Sequence, residues 1–278
     1  MLDGFRELGV SETIVKDKRV LLKPNLVEPH RGVSHINTHP AVVQAAVEAF
    51  RRLGAAEVVV AEGPGHINDT LWCLEESGIG DVLKDEGIRF ADLNYADFVR
   101  QPNLGNKTDL GDLFLPVPIV EADIVVSMAK MKTHHWAGAT LSMKNLFGIM
   151  PGSVYGWPKN VLHYAGIVPS ILDINATVKP DFAIVDGIVG MEGDGPIMGD
   201  PVKAGLLVMG RNFPAVDATC CRLMGIDPDE IDYLNWASDW LGPIVEYGID
   251  QRGEALIDKR RNFKLIEEIP AHQGIRLS

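Results

Sequence analysis

The sequence predicts an α/β protein built of mainly parallel strands flanked by helices. Two observations carry this: short, β-branched apolar runs such as RVLLK (19–23) and EVVVA (57–61), and amphipathic stretches that alternate with them. Parallel strands cannot be joined by a tight turn, so a strand–helix–strand–helix rhythm is what such a sheet requires.

Taken in order, residues 19–23 read as a strand ending at Pro24-Asn25. A helix follows over 40–53, with Val43, Val47 and Phe50 at helical spacing, Thr38 or His39 as its cap and Gly54 as its stop. Residues 57–61 are the next strand, 68–82 the next helix and 89–93 a third strand. The polar stretch 93–115 suits a small hairpin or excursion. A second series then begins: a strand at 123–128, a short helix at 141–147, and a helix at 161–178 with a possible kink at Pro169. Buried strands are expected at 182–185 and 206–209, a helix at 215–224 closed by Gly225, then a helix at 230–240 and an edge strand at 263–266. Two α/β lobes are expected, 1–125 and 126–278, the alternative being one continuous domain.

The chain of 278 residues is 46% hydrophobic and 23% charged, an ordinary globular balance. Its formal net charge of -12 argues against nucleic-acid binding, which needs a basic face. Cys73, Cys220 and Cys221 form no C-x-x-C pair, so no cluster or structural zinc framework is visible. No signal peptide and no run of about 18 apolar residues is recognisable, and a cytoplasmic protein without a membrane span is expected.

In open parallel sheets ligands bind beyond the carboxyl ends of the strands, so the residues following each strand are the candidates. The first strand leads into Lys23, Asn25, His30, His35 and His39; the second into Glu62-Gly63-Pro64-Gly65-His66. The strand at 123–128 leads into Lys130, Lys132, Thr133, His134 and His135, and the one at 182–185 into Asp186-Gly187. The segment KMKTHHWAGATLSMKNLFGIMPG (130–152) is the richest. Lys130, Lys132, Thr133 and Asn145, with Lys23 and Asn25, are candidates for holding an anion. Gly138 and Thr140 before a short helix resemble an anion-binding turn. Lysine beside Trp136, Leu146 and Phe147 is partly desolvated, which lowers its pKa and suits Lys144 to base or nucleophile work. Histidine supplies acid–base or metal-ligand chemistry, which makes His134 and His163 catalytic candidates. Neither a Walker A loop nor G-x-G-x-x-G is present. Asp217, in a helix, is expected to cap or to bond structurally.

The runs LLKPN, THP (38–40), AEGPG, the 130–152 segment, IVDGIVGMEGDGPIMGDP and AVDA (215–218) resemble the domain-of-unknown-function 362 family. Some of its members carry an iron–sulfur cluster domain. A more distant resemblance is to the nickel-pincer lactate racemases, and it implies a lactate-racemase-like arrangement. In those enzymes a lysine holds a pyridinium-derived nickel cofactor, and histidines ligate nickel or move protons. By position, His66 would be the first of these histidines. His134 and Lys144 stand ten apart, as in that pattern, and His163 follows the Pro-Gly at 151–152. The resemblance implies Lys144 and His66 as cofactor contacts, and His66, His134 and His163 as metal ligands; Glu62 and Asp186, carboxylates suited to orient these groups or bind a metal, are read from the residues themselves as further cofactor contacts. The sequence departs from the pattern at Ile67, where a basic residue is expected, and at Leu141-Ser142-Met143-Lys144, which replaces GG-x-K.

The leading expectation is an enzyme acting on a small anionic hydroxy or carboxylic acid, racemase-, isomerase- or redox-like, with a divalent metal or nickel-pincer-like cofactor possible. The alternative is a metal, cluster or cofactor carrier without turnover. A third reading is a partner-binding protein using Trp136, Trp157 and Trp236, within a homo-oligomer or with a redox partner protein.

Overall fold

The computed structural model describes residues 1–65 and 68–277. Among them the strands are β1 (Arg19–Pro24), β2 (Glu57–Glu62), β3 (Arg89–Asp92), β4 (Phe98–Pro102), β5 (Asp112–Pro116), β6 (Ile124–His134), β7 (Gly138–Thr140), β8 (Phe182–Glu192), β9 (Asp200–Val202) and β10 (Leu206–Gly210). The main sheet runs β10-β8-β6-β1-β2-β3, with β7 on β6 and β9 on β8; β4 and β5 form a separate antiparallel pair. The contacts of β1 with β2 and β6, of β2 with β3 and of β6 with β8 are parallel. β10 is antiparallel to β8. The mainly parallel, helix-flanked α/β arrangement is therefore the expected one. Residue 125 lies inside β6, which sits between β1 and β8, so one sheet runs through both halves of the chain.

Side chains alternate across each strand, and the core divides accordingly. Val20, Leu22, Val58, Val60, Val126 and Ile184 face one side, where the helix Pro40–Arg52 inserts Val43, Val47 and Phe50. Phe5 closes that layer, 5.0 Å from the Phe50 ring and 5.1 Å from Phe182. Leu21, Ala61, Ala129, Ala183 and Val185 face the other side and pack on the helices Ile167–Val178 and Phe213–Met224. Each fully buried Val, Leu or Phe contributes about 1.5–3 kcal/mol.

Several expectations are corrected. β6 and β8 each extend to eleven residues, so Lys130–His134 and Asp186-Gly187 are strand, not loop. The glycines of β8 serve close packing: a Cβ on Gly190 would lie 2.8 Å from the Met131 carbonyl oxygen. The helix read over 68–82 divides into Thr70–Glu76 and Ile79–Asp85 at Gly78, whose φ is 77°. The helix read over 161–178 divides at Gly166 (φ 105°), which leaves Pro169 in the first turn of the second piece. The strand 206–209, expected to be buried, is a half-buried edge, and 263–266 is not a strand. Instead the Phe263 amide donates to the Met224 carbonyl, 2.9 Å away. Among the described residues no helix is long and apolar enough to cross a membrane.

Candidate functional site

A cavity of about 790 Å³ opens beyond the carboxyl ends of β1, β2 and β6. Of the residues singled out from sequence, Lys23, Asn25, Glu62, His134, Lys144, Asn145 and His163 all line it. Lys130, Lys132, Thr133 and Asp186 do not. His66 falls outside the described residues.

Accounting for ammonium protons separates the lysines, since each has three to place. Lys23, at the end of β1, is fully committed: it is ion-paired to Glu62 and donates to Asn145 Oδ1 at 2.9 Å and to the Pro24 carbonyl at 3.0 Å. Burial lowers the Lys23 pKa and raises that of Glu62, each opposed by the attraction of the other. Lys130 is committed too, to Asp186 at 2.6 Å and to the Ser34 and Val189 carbonyls. That carboxylate also accepts the His39 and Ile188 amides, so the pair pins β6, β8 and the helix entry together. Lys132 donates to the Ile36 and Pro196 carbonyls, and burial together with its lysine neighbours holds its pKa well below the ordinary value.

Lys144 differs. No hydrogen-bond or carboxylate partner reaches its amine among the described residues, and Nζ sits 4.1 Å above the centre of the Phe147 ring. Burial, then the nearby Lys23 charge, lowers its pKa to about 7. Its backbone is fixed from below by Asp217, which accepts the Ser142 amide at 2.8 Å and the Met143 amide at 3.0 Å, with the Ser142 hydroxyl as a further donor. Burial holds the Asp217 carboxyl up at about 7 against those bonds. The structural bonding expected of Asp217 thus serves the turn that carries Lys144. Gly148, in the next turn, lets the backbone close on the Lys23–Glu62 pair; a Cβ there would stand 2.7 Å from Lys23 Nζ.

Two of the histidines that line the cavity, His134 and His163, are set in opposite senses. His134 Nδ1 accepts the Trp136 amide at 3.0 Å and the Ala137 amide at 3.2 Å, which assigns its proton to Nε2. His163 Nδ1 is 3.1 Å from the Lys159 carbonyl, an acceptor only, so that ring carries its proton on Nδ1 and leaves Nε2 bare. Burial and the Lys144 charge lower both pKa values, that of His134 strongly. Trp136 packs edge-on to His163 at 5.4 Å, and Phe147 lies 5.6 Å from the same ring.

Sequence reasoning missed Lys159 and Asn94. Lys159 lines the cavity, donates to Asn94 Oδ1 and, at 2.6 Å, to the Met150 carbonyl, and has its pKa lowered to about 7 chiefly by burial. Its φ of 66° is unusual for a residue with a side chain. Asn94 follows β3 and was findable by the strand-end rule; Lys159 follows no strand. Thr140 Oγ1, buried on the cavity wall, has no hydrogen-bond partner among the described residues. Among the described residues no group of three or more His, Cys, Asp or Glu side chains could hold a metal ion.

The chain matches the family model described as "Domain of unknown function (DUF362)" over residues 20–222. The "Thylakoid-associated protein sll1697" of Synechocystis sp. is 27% identical over 228 residues, covering 80% of this chain and 68% of that protein. The structure of the lactate racemase apoprotein from Thermoanaerobacterium thermosaccharolyticum superposes with a TM-score of 0.52 at 16% identity, over 79% of this chain and 54% of that one. The chain thus spans about half the length of the racemase, and the likeness is one of fold. Matched over well more than half of its length, the protein belongs to the DUF362 family.

Proposed function

We propose that the cavity binds a small carboxylate of the hydroxy-acid type and moves a proton on it. The lone amine of Lys144 carries this reading. Among the described residues every other cavity lysine has oxygen partners, whereas Lys144 has none and pays for its burial with a depressed pKa. Groups whose pKa is shifted by desolvation in a cleft cluster at functional sites. Lys144 would hold the carboxylate, His134 would donate through Nε2, and the bare Nε2 of His163 would accept a proton.

The racemase likeness adds a lysine-tethered, metal-bearing organic cofactor to the reading. Lys144 fits as a tether, because a pKa of about 7 leaves a large share of free amine at neutral pH. A metal would have to arrive with donors of its own, with His163 Nε2 as the ring nitrogen available to it. Such a group, when bound, would supply the electron- or hydride-accepting chemistry that side chains lack. A cofactor carrier without turnover is the second reading, favoured by a cavity large for a hydroxy acid.

Four measurements test these readings. Short hydroxy acids should raise the melting temperature of the wild type and exchange their α-hydrogen with deuterated water, and Lys144→Met should lose both effects. Affinity should fall about tenfold per pH unit above pH ~7, as the ammonium that meets the anion is lost. If Lys144→Met and His134→Ala both leave binding and exchange intact, the proposal is wrong. Native mass spectrometry of anaerobically purified protein tests the tether. Added mass that disappears in Lys144→Ala supports it, and such mass without turnover favours the carrier.

A further inference from the structure

Building on the reading of Lys144 as an anion site, we infer that the ligand of this cavity carries two anionic groups, one held at Lys144 and the other at Lys159. The first support is the donor count. Lys23 has all three ammonium protons placed, one of them on the Glu62 carboxylate that cancels its charge. Lys159 places two, on Asn94 Oδ1 and the Met150 carbonyl, both uncharged acceptors. Among the described residues one N–H of Lys159 and all those of Lys144 therefore remain for a ligand, and both residues line the cavity. The acidic residues of the wall are engaged elsewhere: Glu62 with Lys23, Glu28 with Asn68 Nδ2 at 3.1 Å, and Asp194 beside His135 at 3.8 Å.

The second support is placement. The committed Lys23–Glu62 pair acts on Lys144 through the Lys23 charge and on Lys159 through both charges, so both open amines lie close to it. Lys159 reaches its place with a left-handed backbone and a side chain almost wholly enclosed, a conformation that costs free energy and is retained where the surroundings demand it.

The third support is size. A cavity of about 790 Å³ greatly exceeds a three-carbon acid, and cavities of roughly 300–1,000 Å³ hold much larger ligands. The buried hydroxyl of Thr140, unpartnered among the described residues, adds an uncharged contact for the same ligand. The chemistry that fits is a dicarboxylate, or a carboxylate bearing a phosphate at its far end.

The test is a calorimetric binding series. Monocarboxylates are paired with α,ω-dicarboxylates of increasing length and with phosphorylated carboxylates, on the wild type, Lys144→Met, Lys159→Met and Lys159→Gln. The last variant keeps N–H donors near Asn94 without the charge. The best dianion should bind the wild type roughly tenfold or more tighter than its monoanionic counterpart, the scale of one charge-assisted hydrogen bond. That ratio should fall to near one in both Lys159 variants. Whether carboxylates or phosphates lead the series identifies the second group. If dianions bind the wild type no tighter than monoanions while Lys144→Met abolishes both, the inference fails and the Lys144 reading stands. A preference that survives in the Lys159 variants also overturns it. If Lys144→Met changes nothing, the underlying reading fails and takes this one with it. The wild-type series needs no variant to fold, and dianions that bind it no tighter than monoanions are enough to overturn the inference.

Discussion

Lys144 makes the cavity costly to the empty protein. An unfolded lysine takes its proton below pH ~10.5, whereas folded Lys144 takes it only below about 7. Between those values the unfolded chain holds more protons, so this residue's contribution to stability rises with pH, and its penalty is complete at and below pH ~7. The gap corresponds to a cost on the order of 5 kcal/mol, reduced by solvent reaching the amine through the cavity. Lys144→Met should therefore stabilise the empty protein by about 1–3 kcal/mol in urea unfolding at pH 7, with the gain vanishing toward pH 10.5. A gain that does not depend on pH would show that the amine is not the source. At this scale Lys144 and His134 were legible because they sit among apolar and glycine residues in one short segment, and His163 because it follows the Pro-Gly at 151–152. Lys159 was not, since its place depends on a left-handed φ and on Asn94 and Met150, distant in sequence.

The element that presents Lys144 is a single turn, Ser142–Asn145, too short to hold itself together. Asp217 on the helix Phe213–Met224 supplies the missing acceptors across 75 residues of sequence. Asp217→Asn keeps one acceptor oxygen but puts an NH₂ against backbone amides. It should cost about 2–4 kcal/mol in thermal or urea unfolding and weaken carboxylate binding by displacing Lys144. A variant that melts like the wild type and binds normally would remove Asp217 from this role. The place of Asp217 in a helix suggested a structural carboxylate; its partner was illegible because only the packing of that helix brings the two together. The extension of β6 through Lys130–His134 was hidden for a related reason. Polar residues inside a strand read as loop unless their buried partners, such as Asp186, are known.

For the whole molecule the strand-end rule located the cavity, since one parallel sheet gathers the ends of β1, β2 and β6 at one edge. The same rule gave Lys130 and Asp186 a ligand-facing role, whereas their fully buried pair joins β6 to β8 in the body of the sheet. Removing one partner strands a charge in the interior. Asp186→Asn should thus cost about 3–5 kcal/mol in urea unfolding, whether or not a carboxylate is present. A small effect would mean that Lys130 is content without its carboxylate. Trp136, exposed over 59% of its surface, stands at the cavity wall with His135 at 4.8 Å and His163 at 5.4 Å. Indole emission is quenched by neighbouring protonated imidazole and shifts in colour as water leaves the ring. The protein therefore carries its own optical reporter of occupancy and of histidine protonation, and the difference spectrum against Trp136→Phe isolates its signal from the other tryptophans without any added label.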